Sequence, residues 1–202
     1  ELRQDEKTPE KLKEADYTEL SFAAKIEEGK IIELKKDESL IFTYLPTKCD
    51  KFNFPFLVNG SFLTTADRED LHEDRIWNQW LFKLTAEKII DWLEILSKSK
   101  FKFQILQLLP SKFGGIHNEL KVSFNQSIEI SVKQKAFIPS KNAKLKKITE
   151  IVIDKTGLSE LLFLTPETVI SFINQKENAN FKADSFANPL LQRADKLRSF
   201  EA

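Results

Sequence analysis

At 202 residues, with 41% hydrophobic and 31% charged side chains, the chain is long enough for one ordinary domain or two small ones. Its 31 basic and 31 acidic residues cancel, which excludes a global electrostatic case for nucleic acid and leaves no polybasic membrane anchor. The single cysteine, Cys49, excludes an internal disulfide and fits a reducing, cytoplasmic compartment, and no apolar run approaches the ~18 residues of a membrane span.

Residues 1–16 are charged or polar around Pro9 and read as a linker or tail. Next, Leu20, Phe22, Ala24 and Ile26 alternate with polar neighbours, and Glu28-Gly29 marks a turn. Ile31-Ile32, SLIFTY at 39–44 and the run from Phe54 to Val58 follow as further strands. Asn59-Gly60 reads as the turn that closes the last one. Thr64 and Thr65 read as caps of a helix start, with Arg68 among the acids of its first turn. Over 75–98, Trp77, Trp80, Leu81 and Leu84, then Ile89, Trp92, Leu93 and Leu96, form a helical stripe with a break near Thr85. Core packing accounts for the three tryptophans.

Residues 101–109 (FKFQILQLL) read as a strand, and 116–132 as a helix, from Ile116, Leu120, Phe124 and Ile128 at every fourth position. A strand within 132–139, the basic turn KNAKLKK and a strand over 148–153 come next. A helix from Pro166 to Ile173 is capped by Thr165, ENANFKADSFANP reads as a loop, and 190–200 as a last helix. The fold class is α+β, an antiparallel or mixed sheet with packed helices, arranged as a linker (1–16), a larger lobe (17–134) and a smaller mixed lobe (135–202). The chain holds no methionine and does not begin with one, so a piece of a longer protein is expected.

Most catalytic chemistries lack their residues. The two histidines, His72 and His117, and the isolated Cys49 match no zinc spacing, so no metal site is expected. There is no G-x-S-x-G, no Walker loop and no G-x-G-x-x-G, and five glycines cannot supply a phosphate-wrapping loop. Asp154-Lys155-Thr156-Gly157 reads as a strand-ending turn, and the four lysines of KNAKLKK as a solvated loop. Arg68 is the residue left over. A cation at a helix start opposes the helix dipole and needs a partner. That partner is either a local acid (Asp67, Asp70 or Asp74), in a weak surface pair, or a phosphate held elsewhere, which the planar guanidinium suits.

LIFTYLPTK followed by FPFLVNGSFLTTADREDLHEDRIWN resembles the region after the ATP-binding module in sacsin-like ATPases, relatives of the ninety-kilodalton heat-shock chaperone. The ordered set is Leu45-Pro46-Thr47, Asn59 with Phe62, Thr64-Thr65, Arg68-Glu69 and Trp77-Asn78. Residues 136–160 share the likeness more loosely. The resemblance implies a chaperone-type middle domain. In it Arg68 reaches the γ-phosphate of ATP bound in a preceding domain of the same chain, on a loop shaped by Asn59, Thr64, Thr65 and Glu69. It places a helix at the arginine, with a glutamine one turn on where this chain has His72. It also implies that this piece is no enzyme alone and binds no cofactor itself. ATP and Mg belong to the full-length protein, a client protein is a further expected partner, and no nucleic acid or membrane is expected. The alternative is a protein-interaction module with no part in hydrolysis.

Overall fold

In the computed structural model, residues 2–140, 144–153 and 165–177 are described, together with 186–187, 197 and 200. Two short helical turns come first, Leu2–Gln4 (3-10) and α1 (Glu10–Lys13). They are anchored by buried Thr8, whose hydroxyl donates to Asp5, and by Lys7, which pairs with Asp74 at 3.0 Å.

The strands β1 (Leu20–Ala23), β4 (Ile41–Thr43), β5 (Leu45–Pro46) and β6 (Leu57–Gly60) form one sheet in the order β1-β6-β4-β5. β1 and β5 run antiparallel to their neighbours, whereas β4 and β6 are parallel, so the sheet is mixed. The hairpin of β2 (Lys25–Glu27) and β3 (Lys30–Ile32) turns at Glu28 and Gly29, both at positive φ, as the sequence predicts. Asn59-Gly60 is not a turn. Both residues sit in β6, with Gly60 opposite Leu20. A Cβ there would lie 3.0 Å from the Phe62 ring and 3.2 Å from Leu20 Cδ1, so those side chains would have to shift to admit one. Gly60→Ala is therefore expected to cost about 1–2 kcal/mol, measured by urea unfolding.

Helix α2 (Ile76–Ser97) is continuous. The expected break at Thr85 is absent, and the buried hydroxyl donates to the Leu81 carbonyl one turn back, at 2.7 Å, so it is satisfied within the helix. Residues 101–109 are not a strand. Their buried residues come in adjacent pairs, Ile105-Leu106 and Leu108-Leu109, rather than alternating, and Lys102–Leu108 winds as a 3-10 helix. Helix α3 (Glu119–Gln134) starts three residues later than periodicity suggests. Asn118 Oδ1 caps it by accepting the Leu120 and Lys121 N–H groups at 3.0 and 3.2 Å, and Ile116 stays outside, 89% exposed.

After α3 the expected strand over 132–139 shrinks to β7 (Ile138–Pro139), because 132–134 belong to the helix. β7 pairs antiparallel with β8 (Leu145–Lys146), which lies inside the expected basic turn. Of the expected strand over 148–153, Ile148–Glu150 is a 3-10 turn and only β9 (Val152–Ile153) is extended. β9 runs parallel to β10 (Phe186–Ala187), within the segment expected as a loop. Helix α4 (Pro166–Glu177) begins as expected, with the Thr165 hydroxyl accepting the Thr168 N–H at 3.2 Å, but continues past Ile173. The Asp154-Lys155-Thr156-Gly157 turn and most of the last expected helix lie outside the described residues.

Two compact units result, one of Glu1–Ile89 with Gln107–Ser131, the other of Ile90–Leu106 with Val132–Ala202. Phenylalanine dominates the core of the first. Phe52, Phe54 and Phe56 are all buried within one short segment before β6. Phe52 meets Phe82 at 4.6 Å between ring centroids, and Phe54 meets Phe113 and Phe124 at 5.3 and 5.4 Å. In the second, Leu93, Ile105, Val132, Phe137 and Ile138 are buried. The architecture is α+β, a mixed sheet with packed helices. No helix among the described residues is long and apolar enough to cross a membrane.

Candidate functional site

Arg68 lies in a tight loop between β6 and α2, not at a helix start. Thr64 bridges Leu71 antiparallel, Thr65 N–H donates to the Asp70 carbonyl at 2.9 Å, and Arg68 N–H donates back to the Thr65 carbonyl at 3.0 Å. Arg68 itself has φ 60°, which no helix accommodates, and α2 opens only at Ile76. The threonines thus close a hairpin rather than cap a helix, and the conflict with a helix dipole disappears. Thr65 Oγ1 donates to Asp67 at 2.5 Å and accepts the Asp70 N–H at 3.1 Å, a local network that competes with helix formation.

The loop is gripped from the first turn of α2. Asn78, fully buried, accepts the Leu63 N–H at 2.8 Å and donates through Nδ2 to the Leu63 and His72 carbonyls, each at 2.8 Å. Trp77 Nε1 donates to the Ser61 carbonyl at 2.8 Å. Sequence reasoning treated Trp77 as core and Asn78 only as part of a pattern. The signal that could have exposed their joint role is a Trp-Asn pair opening a helix directly after a polar loop.

The Arg68 guanidinium reaches sideways to the β4–β5 corner. Nη2 donates to Thr43 Oγ1 at 2.7 Å, to the Leu45 carbonyl at 2.7 Å and, longer, to the Thr43 carbonyl at 3.4 Å. The expected local partner, Asp67, Asp70 or Asp74, is therefore corrected to neutral oxygens. Thr43, whose role no sequence pattern announced, and Leu45 hold it. Between them Tyr44 adopts φ 67°, with its N–H donating to Asn59 Oδ1 at 3.3 Å, so Asn59 serves the corner that receives the arginine. Thr47 closes the same corner by donating twice to the Ile41 carbonyl, from N–H and Oγ1, each at 2.9 Å.

None of these partners is an anion. The acids nearby are engaged elsewhere. Asp67 binds Thr65 and the Glu69 N–H, Glu69 pairs with Lys48 at 3.0 Å, Asp70 with Lys51 at 2.6 Å, and Asp74 with Lys7 and Arg75. Among the described residues no carboxylate pairs with Arg68. Its Nε is buried without a hydrogen bond, while Nη1 carries neither a partner nor full burial. The result is a pinned, half-buried cation with spare N–H donors and no counter-charge paired with it among the described residues.

The Thr65 hydroxyl and then the Glu69 N–H hold the Asp67 carboxyl below the usual aspartate range. Its contribution to the loop is fully present above the ordinary aspartate value of about 4 and is lost as pH falls through the lower folded value. On acidification the Glu69 amide resonance should therefore titrate with Asp67, and Asp67→Asn should abolish that titration. Beside the loop, Cys49 is buried, and desolvation pushes its thiol up, which leaves it unreactive at neutral pH. His72 acts through its backbone, donating to the Leu63 carbonyl at 3.0 Å and accepting from Asn78. His117 pairs with Glu119 at 2.9 Å. Among the described residues no group of three or more His, Cys, Asp or Glu could hold a metal ion.

No known protein family model matches the chain, and no solved structure matches it. The chain is 36% identical over 53 residues to Protein NO VEIN of Arabidopsis thaliana. That stretch covers 26% of this chain and 2% of the plant protein, so the likeness is to a small part of a much longer chain.

Proposed function

We propose that this chain is part of a large sacsin-like, ATP-dependent chaperone-type protein. It serves there as a middle, or transducer, domain that presents Arg68 to the γ-phosphate of ATP bound in a preceding domain. One observation carries the reading: Arg68 is held in place by neutral oxygens while every nearby carboxylate is engaged elsewhere. A guanidinium fixed in this way keeps its charge and the two N–H groups of Nη1 for an incoming anion. The likeness to a stretch of a far longer plant protein fits a part of a larger chain.

The chemistry would be electrostatic. Charge on the γ-phosphoryl oxygens is stabilised in the transition state by an arginine delivered from another domain. Hydrolysis then depends on docking, since the arginine arrives only when the domains close. ATP and Mg would be held by the rest of the protein, and a cytoplasmic location belongs to the same proposal. ATP turnover of the intact protein with Arg68→Ala tests it, and an unchanged kcat would overturn it.

A second reading, a protein-interaction module for a client, draws on Tyr44 and Leu45. They are 91% and 65% exposed at the corner that holds Arg68. Tyr44→Ala with Leu45→Ser would weaken client binding about tenfold on this reading and leave ATP turnover unchanged.

A further inference from the structure

Away from the Arg68 guanidinium, the first unit has an open cleft of about 530 Å³, within the ~300–1,000 Å³ typical of small-molecule sites. Its lining is Lys36, Lys51, Lys112 and Lys121, with Asp50, Asn53 and the backbone-rich turn at Phe113-Gly114. Four lysines thus share the lining with one acid, Asp50.

Three of the lysines are already oriented. Lys51 is held by Asp70 at 2.6 Å, Lys112 by Glu129 at 3.0 Å, and Lys121 donates to the Gly114 carbonyl at 3.0 Å. Asp70 and Glu129 do not line the cleft, and each offsets part of the charge of the lysine it holds. These pairs are half-exposed and individually weak, so a multiply charged anion can compete for the ammonium groups. Their side chains have lost part of their freedom before any ligand arrives, which lowers the entropic cost of binding. Lys36 is exposed and has no partner among the described residues. Asn53 can donate two further N–H bonds from its amide. A Cβ at Gly114 would meet nothing within 4 Å, so the turn leaves open space on that side.

The four lysines come from four separated stretches: the loop after β3, the segment before Phe52, the loop before α3 and the first turn of α3. A charged surface of one helix or one loop would not close a concave wall in this way. We propose that this cleft binds a small oligophosphate, with two or more linked phosphate groups contacted by Lys36, Lys51, Lys112 and Lys121. Free polyphosphate and the phosphate tail of a nucleotide share that chemistry. The proposal does not depend on the role assigned to Arg68.

Calorimetric titration of the intact protein with inorganic tripolyphosphate tests the site. Wild type is compared with Lys36→Glu, Lys121→Gln and, as a control away from the cleft, Lys30→Glu. Lys36→Glu touches no internal bond, so its fold is not at risk. Binding should weaken at least about tenfold in Lys36→Glu, and to a lesser degree in Lys121→Gln. It should persist in Lys30→Glu. ATP turnover of Lys36→Glu, expected unchanged, separates failure of this site from failure of the ATPase reading. ATP and adenosine identify the source. Loss in Lys36→Glu of one tripolyphosphate-binding and one ATP-binding event, with adenosine binding unchanged, supports phosphate recognition, while ATP held in a preceding domain persists. Absence of tripolyphosphate binding in wild type, or equal weakening by Lys30→Glu, would overturn the proposal, as would adenosine binding that Lys36→Glu abolishes.

Discussion

On the proposed transducer role, Arg68→Ala is expected to lower ATP turnover of the intact protein about 10³-fold, the scale on which arginines supplied to a phosphoryl-transfer site act. The effect should fall on kcat more than on KM, because the contact strengthens as charge develops in the transition state. The same substitution also removes the bonds to Thr43 and Leu45, which costs about 1–2 kcal/mol of stability. Turnover must therefore be read where the variant remains folded, verified by its unfolding curve. Arg68→Lys separates the two roles. It keeps the charge but loses the fork that lets Nη2 hold the β4–β5 corner while Nη1 remains available. An intermediate kcat is expected from it. Thr43→Val removes the hydroxyl that accepts from Nη2 at 2.7 Å and should lower kcat less than Arg68→Ala, through orientation alone.

Asn78→Ala is expected to destabilise the first unit by about 3 kcal/mol, read as a shift in the urea midpoint of tryptophan fluorescence. Two backbone groups lose their partner at once, the Leu63 N–H and the His72 carbonyl, and the Leu63 carbonyl keeps only the His72 N–H, in a site with no exposure at Asn78. An unsatisfied buried group costs roughly 1–3 kcal/mol, and solvent entry along the loosened loop recovers part of the sum. Asn78→Asp sharpens the test. A carboxylate facing two carbonyl oxygens is repelled, whereas the protonated acid donates one bond. Its folded pKa should therefore be raised, and the deficit against wild type should grow as pH rises above the ordinary aspartate value of about 4. A deficit that did not change with pH would place the cost in packing rather than in the donor pattern. Because Asn78 grips the Arg68 loop, Asn78→Ala should also slow ATP turnover under folding conditions.

Composition and periodicity were enough for the α+β class, the β2–β3 turn at Glu28-Gly29, and the Thr165 cap of α4, because each depends on contacts within a few residues. They failed where distant groups decide. Residues 101–109 have strand-like residue types, yet their buried positions come in adjacent pairs and the chain winds. Asn59-Gly60 carries a turn signal, but Leu20 and the Phe62 ring keep it in the sheet. The helix expected at Arg68 is displaced to Ile76 because Thr65, Asp67 and Asp70 bind one another and Arg68 takes a left-handed backbone.

By itself the sequence singled out Arg68 as the cation without an evident purpose, and its family resemblance marked Asn59, Thr64, Thr65 and Glu69 as its setting. Those are choices of residue type, and a one-dimensional pattern carries them. Only the tertiary structure decided what the arginine touches. Thr43 and Leu45 lie more than twenty positions away and are brought beside it by a parallel β4–β6 pairing. Hydrogen bonds and ion pairs form between neighbours in space, so the emptiness of Arg68's anionic surroundings became visible only once Lys7, Lys48, Lys51 and Arg75 were seen to engage the acids around it.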